Sequence, residues 1–142
     1  MPDTKGLFRR AFAMLAPGGR LVVCSWLAKE GVDWWQRRWL LEPICREGRI
    51  PHLLCAPELS AEAEKAGLTA GEWLDLTDRV WRTWPIVAWR FVRRLVLSRC
   101  YRSFLLDSSR RNRVFSLTIV RIWAAYWTGG MRYGLFRLTK HE

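Results

Sequence analysis

The sequence predicts an α/β fold, and two observations support this prediction. The first is a helix-stop-strand unit, in which an amphipathic stretch ends at Pro17, Gly18 and Gly19 follow, and the apolar run Leu21 to Trp26 comes next. Proline cannot continue a helix, glycine accepts the positive φ of a helix C-cap, and an apolar run without polar alternation is typical of a central parallel strand buried on both faces. The second observation is that helical and strand patterns alternate to the end of the chain.

Apolar periodicity predicts the regular elements in order. From Lys5 to Leu15 apolar residues recur every three or four positions, which indicates a short amphipathic helix before the first strand. Pro57 to Gly67 has acids early, a lysine late and a glycine stop, so it is predicted to be a second helix. Leu68 to Leu76 follows as a strand. Met131 to Lys140 alternates partly between faces, as a terminal antiparallel strand does.

Two segments interrupt this alternation, and we expect inserted helices in both. The first, 28–57, has prolines and glycines between its apolar stretches. The second, 79–129, is rich in Arg and Trp, with Pro85 as a predicted first helical residue. A polar break at 107–112 predicts two helices joined by a turn. With 142 residues, 50% of them hydrophobic, the chain is expected to form a single domain, 1–142.

The positive charge is concentrated in one segment. The chain has a formal net charge of +11, and between Arg79 and Arg113 it carries ten arginines and a single acid, Asp107. Three interpretations of this segment stay open: a solvated helical face, a peripheral contact with an anionic membrane surface, and nucleic-acid binding. The third is the least favoured because no motif of a known nucleic-acid reader is present.

Cysteine and histidine usage gives no metal signature. The four cysteines form no CxxC pair and only two histidines accompany them, so we predict reduced thiols and no metal site, with Cys24 in the core. No basic-then-apolar leader begins the sequence, and arginines interrupt every long apolar run. We therefore expect a cytoplasmic protein that does not span a membrane, with membrane-peripheral contact left open.

Several motifs together resemble class I S-adenosylmethionine-dependent methyltransferases. The run Leu15-Ala16-Pro17-Gly18-Gly19-Arg20-Leu21 resembles the turn before that superfamily's fifth strand, and Glu58 to Leu68 resembles the helix and bend before its sixth. Other features resemble its tocopherol methyltransferase-like branch. These are Met1-Pro2-Asp3-Thr4-Lys5, Ile44-Cys45, Pro51, Cys55, Trp84-Pro85 and Met131-Arg132-Tyr133-Gly134-Leu135.

The resemblance implies a partial domain. It implies the last three strands of a Rossmann-like sheet with two helical insertions, that is, the carboxy-terminal half of such an enzyme. The family's Gly-rich loop and the acid that holds the cofactor ribose lie upstream of these motifs. The intact family uses S-adenosylmethionine, but this chain is expected to contain no cofactor-binding residues and to bind it at most weakly. Gly18 and Gly19 cannot replace the missing loop, because they follow a helix and precede a strand.

The expected function is the substrate-side portion of a methyltransferase acting on a small aromatic or prenylated acceptor, inactive as an isolated chain and needing an amino-terminal half. His52 is the weak candidate for a base that deprotonates a phenol, against the plainer interpretation of a scaffold histidine. Aromatic walls suit a flat acceptor, although tryptophans between inserted helices are more often core. The residues expected to bind the acceptor are Trp34, Trp35, Cys55, Trp81 and Trp84.

A second function, from another class, is also open. The chain could be a small basic interaction protein whose Arg/Trp-rich helices bind anionic membranes or nucleic acid.

Overall fold

The computed structural model describes residues 3–106 and 113–141, with side chains for 3–103 and 118–141. The polar break expected at 107–112 lies outside the described residues. The described residues form an α/β structure with three strands and two groups of inserted helices. Its elements in order are α1 (Thr4–Met14), β1 (Arg20–Ala28), α2 (Trp34–Gln36), a π-helical turn (Arg37–Leu41), α3 (Glu42–Gly48), α4 (Ala56–Lys65), β2 (Leu68–Asp75), α5 (Thr77–Val80), α6 (Thr83–Leu97), α7 (Arg99–Leu106), α8 (Arg113–Trp127) and β3 (Met131–Lys140).

The last strand in sequence is the middle strand of the described sheet. Its order is β1-β3-β2, and both pairings are antiparallel, with Arg20 opposite Thr139 on one side and Leu68 opposite Lys140 on the other. The antiparallel terminal strand is confirmed. Strand β1 is not a central parallel strand in the described sheet, because it pairs with β3 alone and lies at the edge. An edge strand without its parallel neighbours is what the partial domain implied by the resemblance leaves.

The expected burial of β1 on both faces is also wrong. Val22 is 59% exposed and Cys24 is exposed rather than in the core, whereas Val23 and Leu27 are buried. When only one face of a strand is covered, buried and exposed residues alternate along it, because successive side chains point to opposite faces. β1 therefore carries more apolar side chains than the described neighbouring elements bury. One of its faces and one of its edges are left open.

The helix-stop-strand unit is confirmed. Helix α1 begins behind Asp3, whose carboxylate accepts the Gly6 N–H at 2.8 Å, and it ends at Leu15. Gly18 has φ +71° and donates its N–H to the Lys140 carbonyl at 2.9 Å, so the turn is joined to the end of β3. The Lys140 ammonium in turn donates to the Leu15 carbonyl at 2.8 Å and thereby caps the helix.

The first core cluster lies where α1 and α4 cover the sheet. Phe8, Leu59 and Ala63 from the helices meet Phe136 and Leu138 of β3, all of them at most 4% exposed. Burial of helix stripes against a sheet face is the main stabilising term in such a layer.

Helix α4 confirms the predicted second helix within two residues at each end. The backbone N–H of Cys55 donates to the Glu58 carboxylate at 2.9 Å, which caps the first turn and lowers the pKa of Glu58. Gly67, at φ +88°, ends the helix in a conformation that favours glycine.

The second core cluster holds the inserted helices together. Ile44 of α3, Ile122 and Tyr126 of α8, and Met131 at the start of β3 are each at most 5% exposed. Gln36 is buried in the same region and donates its side-chain N–H to the Thr128 carbonyl at 2.9 Å. The two insertions therefore pack on each other and on the strand that follows them.

The Arg/Trp-rich segment contains more helices than expected. α6 begins at Thr83, two residues before Pro85, and a short helix α5 precedes it. The backbone of Ser98 leaves the helical region at φ −116° and ψ 118°, so the first predicted helix is divided into α6 and α7. Within the described residues, no helix is both long and apolar enough to cross a bilayer.

Replacing Phe136 by alanine tests the first core cluster. The ring is 1% exposed and stacks on Trp73 with 5.9 Å between ring centroids. Its loss leaves a cavity beneath both helices, so the free energy of unfolding in urea should fall by about 3–5 kcal/mol. The control is Met14→Ala, at a side chain 87% exposed, which should change it by less than about 0.5 kcal/mol. Equal losses in the two variants would contradict the proposed core.

Candidate functional site

A cleft runs along the open edge of β1. It has a volume of about 330 Å³ and lies between α1, the edge strand and the segment 50–54. Both apolar and polar groups face it. The lining residues that carry chemistry or aromatic surface are Phe8, Cys24, Ser25, Trp26, His52 and Tyr133.

The segment 50–54 closes one end of this cleft. It leaves α3 through Arg49 in the left-handed region, and the Ala28 N–H at the end of β1 donates to the Leu54 carbonyl at 3.0 Å. His52 is exposed on this segment and also lines two neighbouring clefts, one against α1 and α4 and one against α3. The position allows His52 to reach a molecule bound in any of the three.

An aromatic cluster lies behind the cleft, in the second core. Trp84 of α6 stacks on Tyr126 of α8 with 6.4 Å between centroids and 19° between planes. Trp26 of β1 approaches Trp84 edge-on at 6.1 Å. Trp26 and Tyr133 face the cleft and also pack against this core, whereas Trp84 and Tyr126 lie behind them and do not line the cleft.

Two polar atoms of the cluster are buried without a hydrogen-bond partner in the described structure: the Trp84 indole Nε1 and the Tyr126 hydroxyl. A buried unpaired donor costs about 1–3 kcal/mol, so most proteins pair such groups. Burial also raises the pKa of Tyr126, and the phenol stays neutral at physiological pH. The cluster therefore offers two neutral N–H and O–H donors to a polar group that reaches them.

Tyr133 is a second tyrosine of the site. It lies on β3 opposite Trp26, and its N–H donates to the Thr77 hydroxyl at 3.0 Å. Burial raises the pKa of its phenol, and the neighbouring Cys24 thiol adds to this shift. Both strands thus present polar side chains to the cleft, Cys24 and Ser25 from β1 and Tyr133 from β3.

The structure separates the residues expected to bind an acceptor. Trp81 and Trp84 pack against the second core. Trp34 and Trp35 are exposed on α2, by 76% and 40%, and are not part of the cleft lining. Cys55 lies just before α4, where burial raises the pKa of its thiol.

Sequence reasoning missed Trp26, Tyr126 and Tyr133. The sequence places Trp26 only in a strand. The two tyrosines lie 92 and 99 residues after the first predicted site tryptophan, Trp34, so only tertiary contacts bring them to the site. The alternation in β3 was the available signal, because it places Tyr133 on a definite face once the antiparallel register with β1 is known.

An ionic contact fixes the two insertions relative to each other. Arg121 of α8 forms a salt bridge with Glu47 of α3, and the Thr118 hydroxyl donates to the same carboxylate. The Glu47 side chain is only 10% exposed, so these contacts are shielded from water. Among the described residues, no group of three or more His, Cys, Asp or Glu side chains could hold a metal ion.

No protein-family model and no curated protein matches the chain. Solved structures do match its fold. A cyclopropane synthase from Mycobacterium tuberculosis matches with a TM-score of 0.73 and 15% identity, over 97% of this chain and 50% of that one. A geranyl diphosphate methyltransferase in complex with S-adenosylmethionine gives a TM-score of 0.64 and 16% identity, over 97% and 46%. Phosphoethanolamine N-methyltransferase 2 of Haemonchus contortus gives 0.62 and 17%, over 100% and 31%.

These comparisons define a class of fold. The chain has an α/β fold like part of these methyltransferase-fold structures, and it spans about half the length of the first two and 31% of the third. At 15–17% identity the likeness is one of fold alone.

Replacing Glu47 by glutamine tests the contact between the insertions. The amide cannot keep the charge-assisted bonds to Arg121 and Thr118, so the free energy of unfolding should fall by about 1–3 kcal/mol. Glu42→Gln is the matched control, because Glu42 pairs with Arg38 on the exposed surface and should matter by less than about 0.5 kcal/mol. Urea titration with tryptophan fluorescence measures both, and a larger loss in the control would refute this assignment.

Proposed function

We propose that this chain is the acceptor-side portion of an S-adenosylmethionine-dependent methyltransferase. In this proposal it corresponds to the carboxy-terminal half of such an enzyme, closest to the tocopherol methyltransferase-like branch, and its acceptor is a small aromatic or prenylated molecule. The observation that carries the proposal is that nearly the whole chain, 97%, matches half of a methyltransferase-fold protein.

The open edge of β1 supports a two-part enzyme. A strand paired on one side leaves backbone N–H and C=O groups that another strand can bond. The exposed Val22 and Cys24 add apolar surface for a further layer to cover. We propose that the donor-binding half pairs with this edge, so that the β1 cleft becomes an enclosed site between the two halves.

The described residues do not fit the cofactor. A dinucleotide or adenosyl group is usually held where a strand passes through a Gly-rich loop into a helix N-terminus. Here the Gly18-Gly19 turn follows a helix, and its N–H groups already donate to the Lys140 and Ala16 carbonyls at 2.9 and 2.8 Å. The chain's own contribution is therefore to bind and orient the acceptor and to exclude water.

The aromatic cluster suits the proposed acceptor. Trp26, Trp84 and Tyr126 give flat apolar surfaces for a ring or a prenyl chain. The unpaired Trp84 N–H and Tyr126 O–H would donate to a hydroxyl or carbonyl oxygen of the same molecule. Orientation of this kind lowers the barrier of an in-line methyl transfer, because it replaces a bimolecular encounter with a fixed geometry.

His52 is proposed as the base for a phenolic acceptor. It lies at the rim of the cleft, and its imidazole would take the phenolic proton, which raises electron density on the ring carbon that is methylated. Trp34, Trp35 and Cys55 remain proposed contacts for parts of an acceptor that extend beyond the cleft. The other candidate, a small basic interaction protein, has no support from the structural comparisons.

The variant Tyr126→Phe distinguishes two interpretations of the aromatic cluster, an acceptor-binding site and an ordinary packed core. Removing a buried hydroxyl that has no partner should leave the free energy of unfolding unchanged or higher. The same variant should weaken binding of a geranyl-substituted hydroquinone, measured by saturable quenching of tryptophan fluorescence, by about tenfold, the loss expected for one hydrogen bond. Tyr101→Phe, at an exposed tyrosine on α7, is the matched control and should change neither. Unchanged hydroquinone affinity in the Tyr126 variant would exclude this tyrosine from the acceptor site.

Equilibrium dialysis with labelled S-adenosylmethionine tests the proposal that the donor-binding half of the enzyme is not part of this chain. We expect no saturable binding to the 142-residue chain at micromolar concentrations, because its glycine turn is occupied by backbone hydrogen bonds. Translation of the DNA upstream of Met1 should reveal a strand and a Gly-rich loop roughly a hundred residues earlier. Tight binding by the bare chain would reject the proposal that the donor site is encoded elsewhere.

A further inference from the structure

Helix α6 exposes apolar and basic side chains on one face. Ile86, Trp89, Val96 and Leu97 are 54%, 68%, 63% and 71% exposed. Arg90 and Arg93 are exposed among them. At 100° per residue these six positions fall on one side of the helix, which we name the α6 outer face.

The opposite side of α6 is the packed one. Ala88 is buried and Phe91 and Leu95 are half-buried, so the helix has a definite inner side and its exposed apolar residues are not needed there. The second core takes residues from the start of this segment, including Trp84, but none from Trp89 to Leu97. The apolar outer face therefore extends beyond the core that holds the helix.

The arginines of this face have no acidic partner. Within the described part of the chain, neither Arg90 nor Arg93 has a carboxylate within 4 Å, and the only acid in the sequence from Arg79 to Arg113 is Asp107. Arg94 differs, because it lies over the Tyr101 ring at 5.9 Å. Two guanidinium groups on the outer face are thus available to external anions.

We propose that the α6 outer face binds an anionic bilayer surface. Guanidinium groups pair with lipid phosphates, indole rings lie at headgroup depth, and aliphatic side chains gain free energy on entering the acyl boundary. Nucleic acid would pair with the arginines through its phosphates. It offers no apolar environment to the exposed aliphatic side chains of the α6 outer face, Ile86, Val96 and Leu97. This binding is independent of methyl transfer and does not rest on the proposed function.

The experiment is cosedimentation of the full chain with vesicles. We expect binding to phosphatidylcholine vesicles containing about one third phosphatidylglycerol, little binding to pure phosphatidylcholine, and a loss of affinity as salt is raised. The double variant Arg90→Gln/Arg93→Gln should bind about 30-fold more weakly, at roughly fivefold per arginine. Trp89→Ala should also weaken binding.

Matched controls remove the same charge and the same ring elsewhere. Arg9→Gln/Arg10→Gln lowers the net charge by the same two units on α1, and Trp34→Ala removes a tryptophan that is 76% exposed on α2. Both should keep vesicle affinity within about twofold of the wild type. Circular dichroism of each variant separates lost binding from lost folding.

Three outcomes would overturn the proposal. One is an equal loss of affinity in the Arg9/Arg10 and Arg90/Arg93 variants, which would show that net charge alone acts. Another is displacement of vesicles by an equimolar single-stranded RNA, which would assign the face to nucleic acid. The third is a dimer in solution that Trp89→Ala dissociates, which would assign it to a second copy of the chain.

Discussion

Every strand pairing in the described sheet involves β3. It bonds β1 on one side and β2 on the other, and the two outer strands do not touch each other through hydrogen bonds. The same strand supplies Phe136 and Leu138 to the first core and Met131 to the second. At its end, the Lys140 ammonium caps α1. Since β3 follows the other two strands in sequence and lies between them, neither β1 nor β2 has a partner in the described sheet until β3 is in place.

This constraint explains how the two insertions become part of one structure. Residues 34–48 and 77–127 are distant in sequence, yet each is anchored near the start of β3. Gln36 bonds the Thr128 carbonyl, and the Lys29 N–H bonds the Gly130 carbonyl at 3.0 Å. The Glu47–Arg121 salt bridge adds a contact between the helices themselves. The aromatic cluster is assembled by the same closure, because Trp26, Trp84 and Tyr126 come from a strand and two helices.

Helix-stop and capping residues in the sequence were enough to predict the three described strands and the helices α1 and α4. Their boundaries depend on proline, glycine and capping groups within a few residues, which a sequence displays directly. The position of β1 in the sheet was not predictable in this way. Its apolar residues show that it suits burial on both faces, but they do not show whether this chain supplies the neighbours. The prediction that Cys24 lies in the core is wrong for that reason.

The functional site was predictable only in part for a related reason. The abundance of tryptophan pointed to the insertions, and Trp84 does meet other aromatic rings there. Its stacking partner Tyr126 could not be chosen, because that contact depends on how α6 and α8 pack. The division of α6 from α7 at Ser98 was also missed, since no proline or glycine marks it and the backbone change is visible only in the structure.

Three features of the described structure lack a binding partner, and each calls for a partner of a different kind. The β1 edge needs directional backbone bonds, but its free groups face water and cost little until another strand meets them. The α6 outer face needs a non-directional apolar and anionic environment. The Trp84 N–H and Tyr126 O–H are different, because they are already shielded from water and their desolvation is not offset by any bond in the described structure. A hydrogen bond from a polar group of another molecule would offset this cost, and this is the physical argument for the proposed acceptor beside the cleft.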